Sequence, residues 1–157
     1  MSATGEGACP SVQESAPLLG LEVDCRRLSN VAQAFDLRMV VLFGSRVKGG
    51  LPSGPDSDVD VAVLGCPRGR FWECWSALEE TIPGNRLDLA LLEAADPLFR
   101  HEVMSRAELL WGDPDLFYEY RAYAYRDFVD SADLRALEQR LFQRKMAWIG
   151  GQLNDQA

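Results

Sequence analysis

The sequence predicts an α/β chain of the mixed, α+β kind: a small sheet of three to four strands flanked by helices, closing with a long C-terminal helical segment. Three observations carry this. Met39 to Phe43, Asp58 to Val63 and Arg86 to Leu92 are short runs of apolar or alternating residues, as strands are. The segments between and after them place apolar residues at helical spacing. From Pro114 to about Ile149 the helical pattern hardly pauses.

The elements follow in chain order. Residues 1–20 (MSATGEGACPSVQESAPLLG) are rich in Ser, Gly, Pro and Ala and are expected to form a flexible tail. Residues 21–157 are expected to form one domain, since a chain of 157 residues with 47% hydrophobic composition can bury one real core. Val23, Leu28, Val31, Ala32 and Phe35 predict a helix ahead of the first strand. Met39–Phe43 is continuous and apolar, as in a strand buried on both faces. It stops at Gly44-Ser45, which opens a polar, glycine-rich stretch through Arg46, Lys48, Gly49, Gly50, Ser53 and Gly54. In the next strand, alternation puts Asp58 and Asp60 on one face and Val59, Val61 and Val63 on the other. Phe71 to Ile82 predicts an amphipathic helix ended by Pro83-Gly84, with Trp72 and Trp75 packed on the sheet. In the third strand Leu87, Leu89 and Leu91 share a face, opposite Arg86, Asp88 and Ala90. Asp96-Pro97 and Asp113-Pro114 are N-cap and N1 pairs that start helices. Glu108 to Trp111 suits a short edge strand. The final helical run is expected to break near Asp130-Ser131, where Ser131 could cap a new helix, and to end at Gly150-Gly151.

Charge and composition exclude some functions. A formal charge of −8 disfavours a protein that coats nucleic acid, which needs a basic footprint. Cys9, Cys25, Cys66 and Cys74 form no CxxC pair, and one histidine, His101, cannot complete a common zinc set. These read as reduced thiols of a cytoplasmic protein. No signal-peptide pattern and no run near ~18 apolar residues appear, so neither secretion nor a membrane is expected.

The chemistry concentrates between Val40 and Leu64. Bare backbone N–H groups at Gly44-Ser45 can approach an anion, and two carboxylates stand on one face of the strand that follows. Asp88, on the third strand, supplies another. Magnesium takes oxygen ligands and commonly binds one or two carboxylates together with substrate phosphates. Nucleotidyl transfer from a nucleoside triphosphate is the reaction such a set allows. Asp-x-Asp alone is explained equally well by a solvent-facing strand edge. The glycine corner and Asp88 tip the balance toward a site. Asp56 reads as a turn former. Arg46, Lys48 and Arg86 are candidates for phosphate or base contact, or for surface ion pairs. His101 reads as a surface or interface residue, and Tyr118, Tyr120, Tyr123 and Tyr125 as packing and interface groups.

Gly44-Ser45-Arg46-Val47-Lys48-Gly49, then Ser57-Asp58-Val59-Asp60 at the start of a strand, then Asp88 in the next, resemble the signature of the DNA polymerase β-like nucleotidyltransferase superfamily. The short length, the lack of a separate substrate domain and the run RLDLALLEAADPLFRHEVMSRAELLWGD look like the minimal nucleotidyltransferase (MNT) antitoxins encoded beside HEPN-domain toxins. The likeness spans residues 22 to 145. It implies that Asp58, Asp60 and Asp88 bind Mg²⁺, two ions in all, and are catalytic. Gly44 and Ser45 would contact the triphosphate, with Arg46 and Ser57 beside them. It implies ATP as substrate, a cognate HEPN RNase toxin as partner in a hetero-oligomer, and AMPylation of a toxin tyrosine as the reaction. The segment Gly50-Leu-Pro-Ser-Gly-Pro55 departs from the more polar linker of many relatives. The loop from Gly49 to Pro55 either links strands or closes over ATP. Two other functions fit the same residues: a small-molecule nucleotidyltransferase of the aminoglycoside type, and a non-catalytic antitoxin that acts by binding the toxin.

Overall fold

The computed structural model describes residues 21–47, 58–84 and 86–154. The expected N-terminal tail, Ser57 and the Gly49–Pro55 loop lie outside the described residues. Within them the order is α1 (Cys25–Ala34), β1 (Met39–Phe43), β2 (Val59–Leu64), α2 (Phe71–Glu79), β3 (Leu87–Leu91), α3 (Pro97–Arg106), β4 (Glu108–Gly112), α4 (Pro114–Asp130) and α5 (Ala132–Asn154). Short 3-10 turns at Arg68–Arg70 and Leu92–Ala94 lead into α2 and out of β3.

The four strands form one sheet in the order β3-β2-β1-β4. β1 runs antiparallel to both β2 and β4, whereas β2 and β3 are parallel. That parallel pair needs a crossover, and α2 provides it. The sheet is the middle of three layers. Val40, Leu42, Val59, Val61, Val63, Leu87 and Leu89 point to one side and pack with Leu28 and Ala32 of α1 and Cys74 and Leu78 of α2. Met39, Val41, Ala62 and Leu64 point to the other and pack with Val103 and Met104 of α3 and Phe117 and Ala124 of α4. Burial on both faces explains why β1 reads as an unbroken apolar run.

Caps fix the helix starts. Asp24 accepts the Arg27 N–H at 3.0 Å, Asp96 the Phe99 N–H at 2.9 Å and Asp113 the Asp115 N–H at 2.9 Å. Pro97 and Pro114 then stand where a missing N–H costs nothing. The break expected at Asp130-Ser131 is there: α4 ends at Asp130, α5 starts at Ala132, and the Ser131 carbonyl between them accepts the Arg135 N–H at 3.0 Å. Ser131 also closes α4, its hydroxyl donating to the Asp127 carbonyl at 2.6 Å and the Phe128 carbonyl at 3.2 Å. Arg135 donates to the same Phe128 carbonyl, so the α4–α5 corner is tied from both sides.

Two expected ends move. α2 stops at Glu79, where a turn through Thr81 takes over before Pro83-Gly84. α5 runs through Gly150-Gly151 to Asn154, because two glycines weaken a helix without stopping it when the flanks favour it. The tryptophans divide. Trp75 packs on the core and donates its Nε1–H to the Leu87 carbonyl at 2.9 Å, while Trp72 is 74% exposed and stacks edge-on against Trp75. His101 is half-buried, its ring 4.5 Å from that of Phe128 between α3 and α4. Tyr120 packs against the core, and Tyr118, Tyr123 and Tyr125 are exposed.

The buried Arg100 locks the α3/α4 layer to the sheet. Its guanidinium donates to the Leu92 carbonyl at 3.1 Å and the Ala95 carbonyl at 2.7 Å, and pairs with Asp127 at 2.5 Å. Truncation would leave two carbonyls and a carboxylate without their donor. Arg100→Ala is therefore expected to cost about 3 kcal/mol, measured as a lower urea midpoint at unchanged m-value.

Candidate active site

The strand registers assemble the site. Phe43 of β1 stands opposite Asp60 of β2, and Asp60 opposite Asp88 of β3. The three therefore form one row across the sheet, on the face that carries α3 and α4. The next row inward is Val41, Ala62 and Ala90. Asp58 lies one residue before β2, exposed. The Val59 N–H donates to the Arg86 carbonyl at 2.8 Å, which joins the leading ends of β2 and β3 and holds Asp60 level with Asp88. Trp75 steadies the same end through Leu87, directly before Asp88.

Gly44 follows β1 with φ of 81°, a backbone conformation that a side chain disfavours. Space forbids a side chain there as well. A methyl group would sit 2.8 Å from Asp60 Cγ and overlap its Oδ2. The chain then turns, with the Val47 N–H donating to the Gly44 carbonyl at 3.3 Å. Ser45 is exposed on this turn and Arg46 is half-buried. The glycine corner and the acids expected from sequence are thus in contact, through Gly44 and Asp60.

Electrostatics single out Asp60. Burial holds its carboxyl above the usual carboxylate range, and the negative charges of Asp88 and Asp58 push it further the same way. Asp58 pairs with Arg86 at 3.8 Å, both side chains well exposed, a contact of little energy. Among the described residues, no three His, Cys, Asp or Glu side chains are gathered closely enough to hold a metal unaided. The oxygen donors nevertheless suit a hard cation that completes its shell with substrate phosphate, and a cation beside Asp60 would offset the repulsion there. Phe43 went unnoticed in the sequence analysis. It walls the row on the β1 side, its ring meeting that of Phe99 edge-on at 6.1 Å. The signal was its place immediately before Gly44.

Comparison with known proteins decides the family. The family model described as polymerase beta, nucleotidyltransferase matches residues 27–115, which includes every strand and the Gly44, Asp58, Asp60 and Asp88 positions. The chain belongs to the polymerase β nucleotidyltransferase family. No curated protein matches it in sequence. Among solved structures, it is similar to a toxin-antitoxin crystallised with AMP-PNP, at a TM-score of 0.59 and 21% identity over 77% of this chain and 97% of that one. A double Asp-to-Glu mutant of the toxin-antitoxin MntA-HpeT matches at a TM-score of 0.58 and 19% identity, with the same coverage. A third match is to the complex of a tri-AMPylated HEPN toxin from Shewanella oneidensis with MNT antitoxin, at a TM-score of 0.55 and 20% identity over 77% and 94% of the two chains. At these identities the likeness establishes the nucleotidyltransferase fold. No described helix of this nucleotidyltransferase is long and apolar enough to cross a membrane.

Proposed function

We propose that this nucleotidyltransferase is an antitoxin that transfers AMP from ATP to a tyrosine hydroxyl of a HEPN-type toxin and so silences it. The observation that carries the reading is the row of Asp60 and Asp88, with Asp58 alongside, against the side-chain-free Gly44 corner. That is an acidic edge next to a backbone turn open to phosphate. Further support comes from the solved relatives. One is bound to AMP-PNP, one is paired with an AMPylated toxin, and the two replaced aspartates of the MntA-HpeT mutant are one residue apart, as Asp58 and Asp60 are.

In this reading the N–H groups of the Gly44–Arg46 turn and the Ser45 hydroxyl hold the triphosphate, with Arg46 and Ser57 as further contacts. Asp58, Asp60 and Asp88 hold Mg²⁺, which when bound neutralises charge on the triphosphate and on departing pyrophosphate. Asp88 would also accept the proton of the attacking hydroxyl. The acceptor oxygen bonds to the α-phosphorus, the bond from that phosphorus to the bridging oxygen breaks, and pyrophosphate leaves. Most of the rate gain would come from positioning and fixed charge.

The test uses ATP labelled at the α-phosphate, Mg²⁺ and the candidate toxin. Label should enter the toxin with the wild-type protein and fall by about 10³-fold with Asp88→Asn, as expected for a lost general base or metal ligand. Label that enters small hydroxyl compounds without a protein partner would assign the site to small-molecule transfer. Full neutralisation by a triple Asp58, Asp60 and Asp88 variant would assign the protein to inhibition by binding.

A further inference from the structure

Arg86 stands at the mouth of the site, two residues before Asp88. Strand alternation puts the two on one face, and the Arg86 side chain lies beside that of Asp58, Nε to Oδ1 at 3.8 Å. The backbone of Arg86 is held, because its carbonyl accepts the Val59 N–H at 2.8 Å where the leading ends of β2 and β3 meet. The side chain is held far less. It is 88% exposed and that of Asp58 56% exposed, and an ion pair so open to water does little for the fold. The backbone bond joins the strand ends without it. Arg86 thus has a fixed root and a charged head that a stronger anion can draw away.

The surroundings say which anion that is. Arg86 brings a positive charge to a face that carries three carboxylates, those of Asp58, Asp60 and Asp88. The Gly44 corner follows β1, Arg86 precedes β3, and β2 with its aspartate end runs between them. Backbone N–H groups therefore stand on one side of the acids and a guanidinium on the other. The Arg86 side chain already bridges the ~4.8 Å from its own strand to the next. A cation bound at Asp58 would repel the guanidinium from that carboxylate. A polyphosphate brought to the same face offers it paired oxygens instead, which the planar fork of an arginine matches better than any lysine does.

We propose that Arg86 is a phosphate-binding residue of this site, one that rests on Asp58 while nucleotide is absent and moves its guanidinium to the triphosphate when nucleotide and metal bind. The proposal rests on the nucleotidyl-transfer reading. The test is titration calorimetry of the full chain with Mg²⁺ and an ATP analogue whose α- and β-phosphates are joined by a methylene group, so that no pyrophosphate leaves. Arg86→Gln should weaken binding of the analogue by about tenfold or more, the worth of a charge-assisted hydrogen bond. Arg86→Lys, which keeps the charge and loses the fork, should fall between the two. Inorganic triphosphate with Mg²⁺ should lose affinity in the same proportion. Mn²⁺ titrated without nucleotide should bind Arg86→Gln at least as tightly as the wild type, because a competing cation has left Asp58. An arginine that merely held Asp58 in place would instead weaken Mn²⁺ and analogue together. Equal affinity of the analogue for wild type and Arg86→Gln, a loss that spares inorganic triphosphate, or a loss of Mn²⁺ binding would each overturn the proposal and leave the nucleotidyl-transfer reading standing. A wild type that does not bind the analogue at all would overturn both.

Discussion

Asp60→Asn is expected to abolish AMP transfer while making the protein more stable. The two effects share one cause. Asp60 is held partly away from water, level with Asp88 and one residue from Asp58, and its carboxyl is therefore harder to ionise than in the unfolded chain. A carboxyl whose folded value is raised adds no penalty below the unfolded pKa of about 3.9, where both states are protonated. The penalty grows as pH rises through that value and is fully present above the folded one. At neutral pH the native Asp60 thus costs stability, and the neutral amide removes that cost. Discounted for partial solvent screening, the gain is on the order of 0.5–1 kcal/mol, or about 1–4 °C in Tm for a chain of this size. It should be present at pH 7 and shrink toward pH 4, which a pair of melting series would read directly. Loss of transfer by on the order of 10³-fold is the accompanying expectation. Mg²⁺ with ATP should raise the Tm of the wild type and leave that of Asp60→Asn unmoved, because ligand binding stabilises only the form that binds it. An amide variant that melts lower at pH 7 would remove the repulsion account. One that still transfers AMP would remove Asp60 from the chemistry.

The two periodicities explain which parts of this arrangement could be read in advance. β1 appeared as an apolar run because helices cover both faces of the sheet, and the facing of Asp58 and Asp60 followed from strand alternation alone. The starts of α3 and α4 were equally plain, since Asp-Pro states both the cap and the first helical residue. What sequence could not supply was register. That Phe43, Asp60 and Asp88 share a row depends on backbone pairing between strands separated by turns and a helix, and no local pattern records it. Trp72 and Trp75 look alike on an amphipathic helix, yet one reaches the Leu87 carbonyl and the other stays in solvent. Leu134, Leu137 and Leu141 of α5 recur at helical spacing, but such spacing does not tell a core face from an exposed one. The distinction came only when the helix was found standing away from the sheet.

Gly44→Ala is the substitution that tests whether the corner and the acids form one unit. Two penalties fall on it. A residue with a side chain at φ of 81° is strained, by on the order of 1 kcal/mol, and the new methyl group would overlap Asp60 Oδ2. Together they should lower stability by about 2–3 kcal/mol, read as a drop in urea midpoint. Transfer should fall at least ~10²-fold, because either Asp60 swings out of its row or the turn moves off the phosphate path. The overlap can be separated from the backbone strain by removing its other partner. In an Asp60→Gly background both the carboxylate and the Cβ that would stand 3.1 Å from the new methyl group are gone, so Gly44→Ala should then cost only the ~1 kcal/mol of strain, and the two changes should be non-additive by about 1–2 kcal/mol. Additive losses would mean that Gly44 serves the turn alone. Non-additive losses would show that the glycine is there because Asp60 occupies the place of its side chain, and that the phosphate corner and the acidic row are held together by that contact.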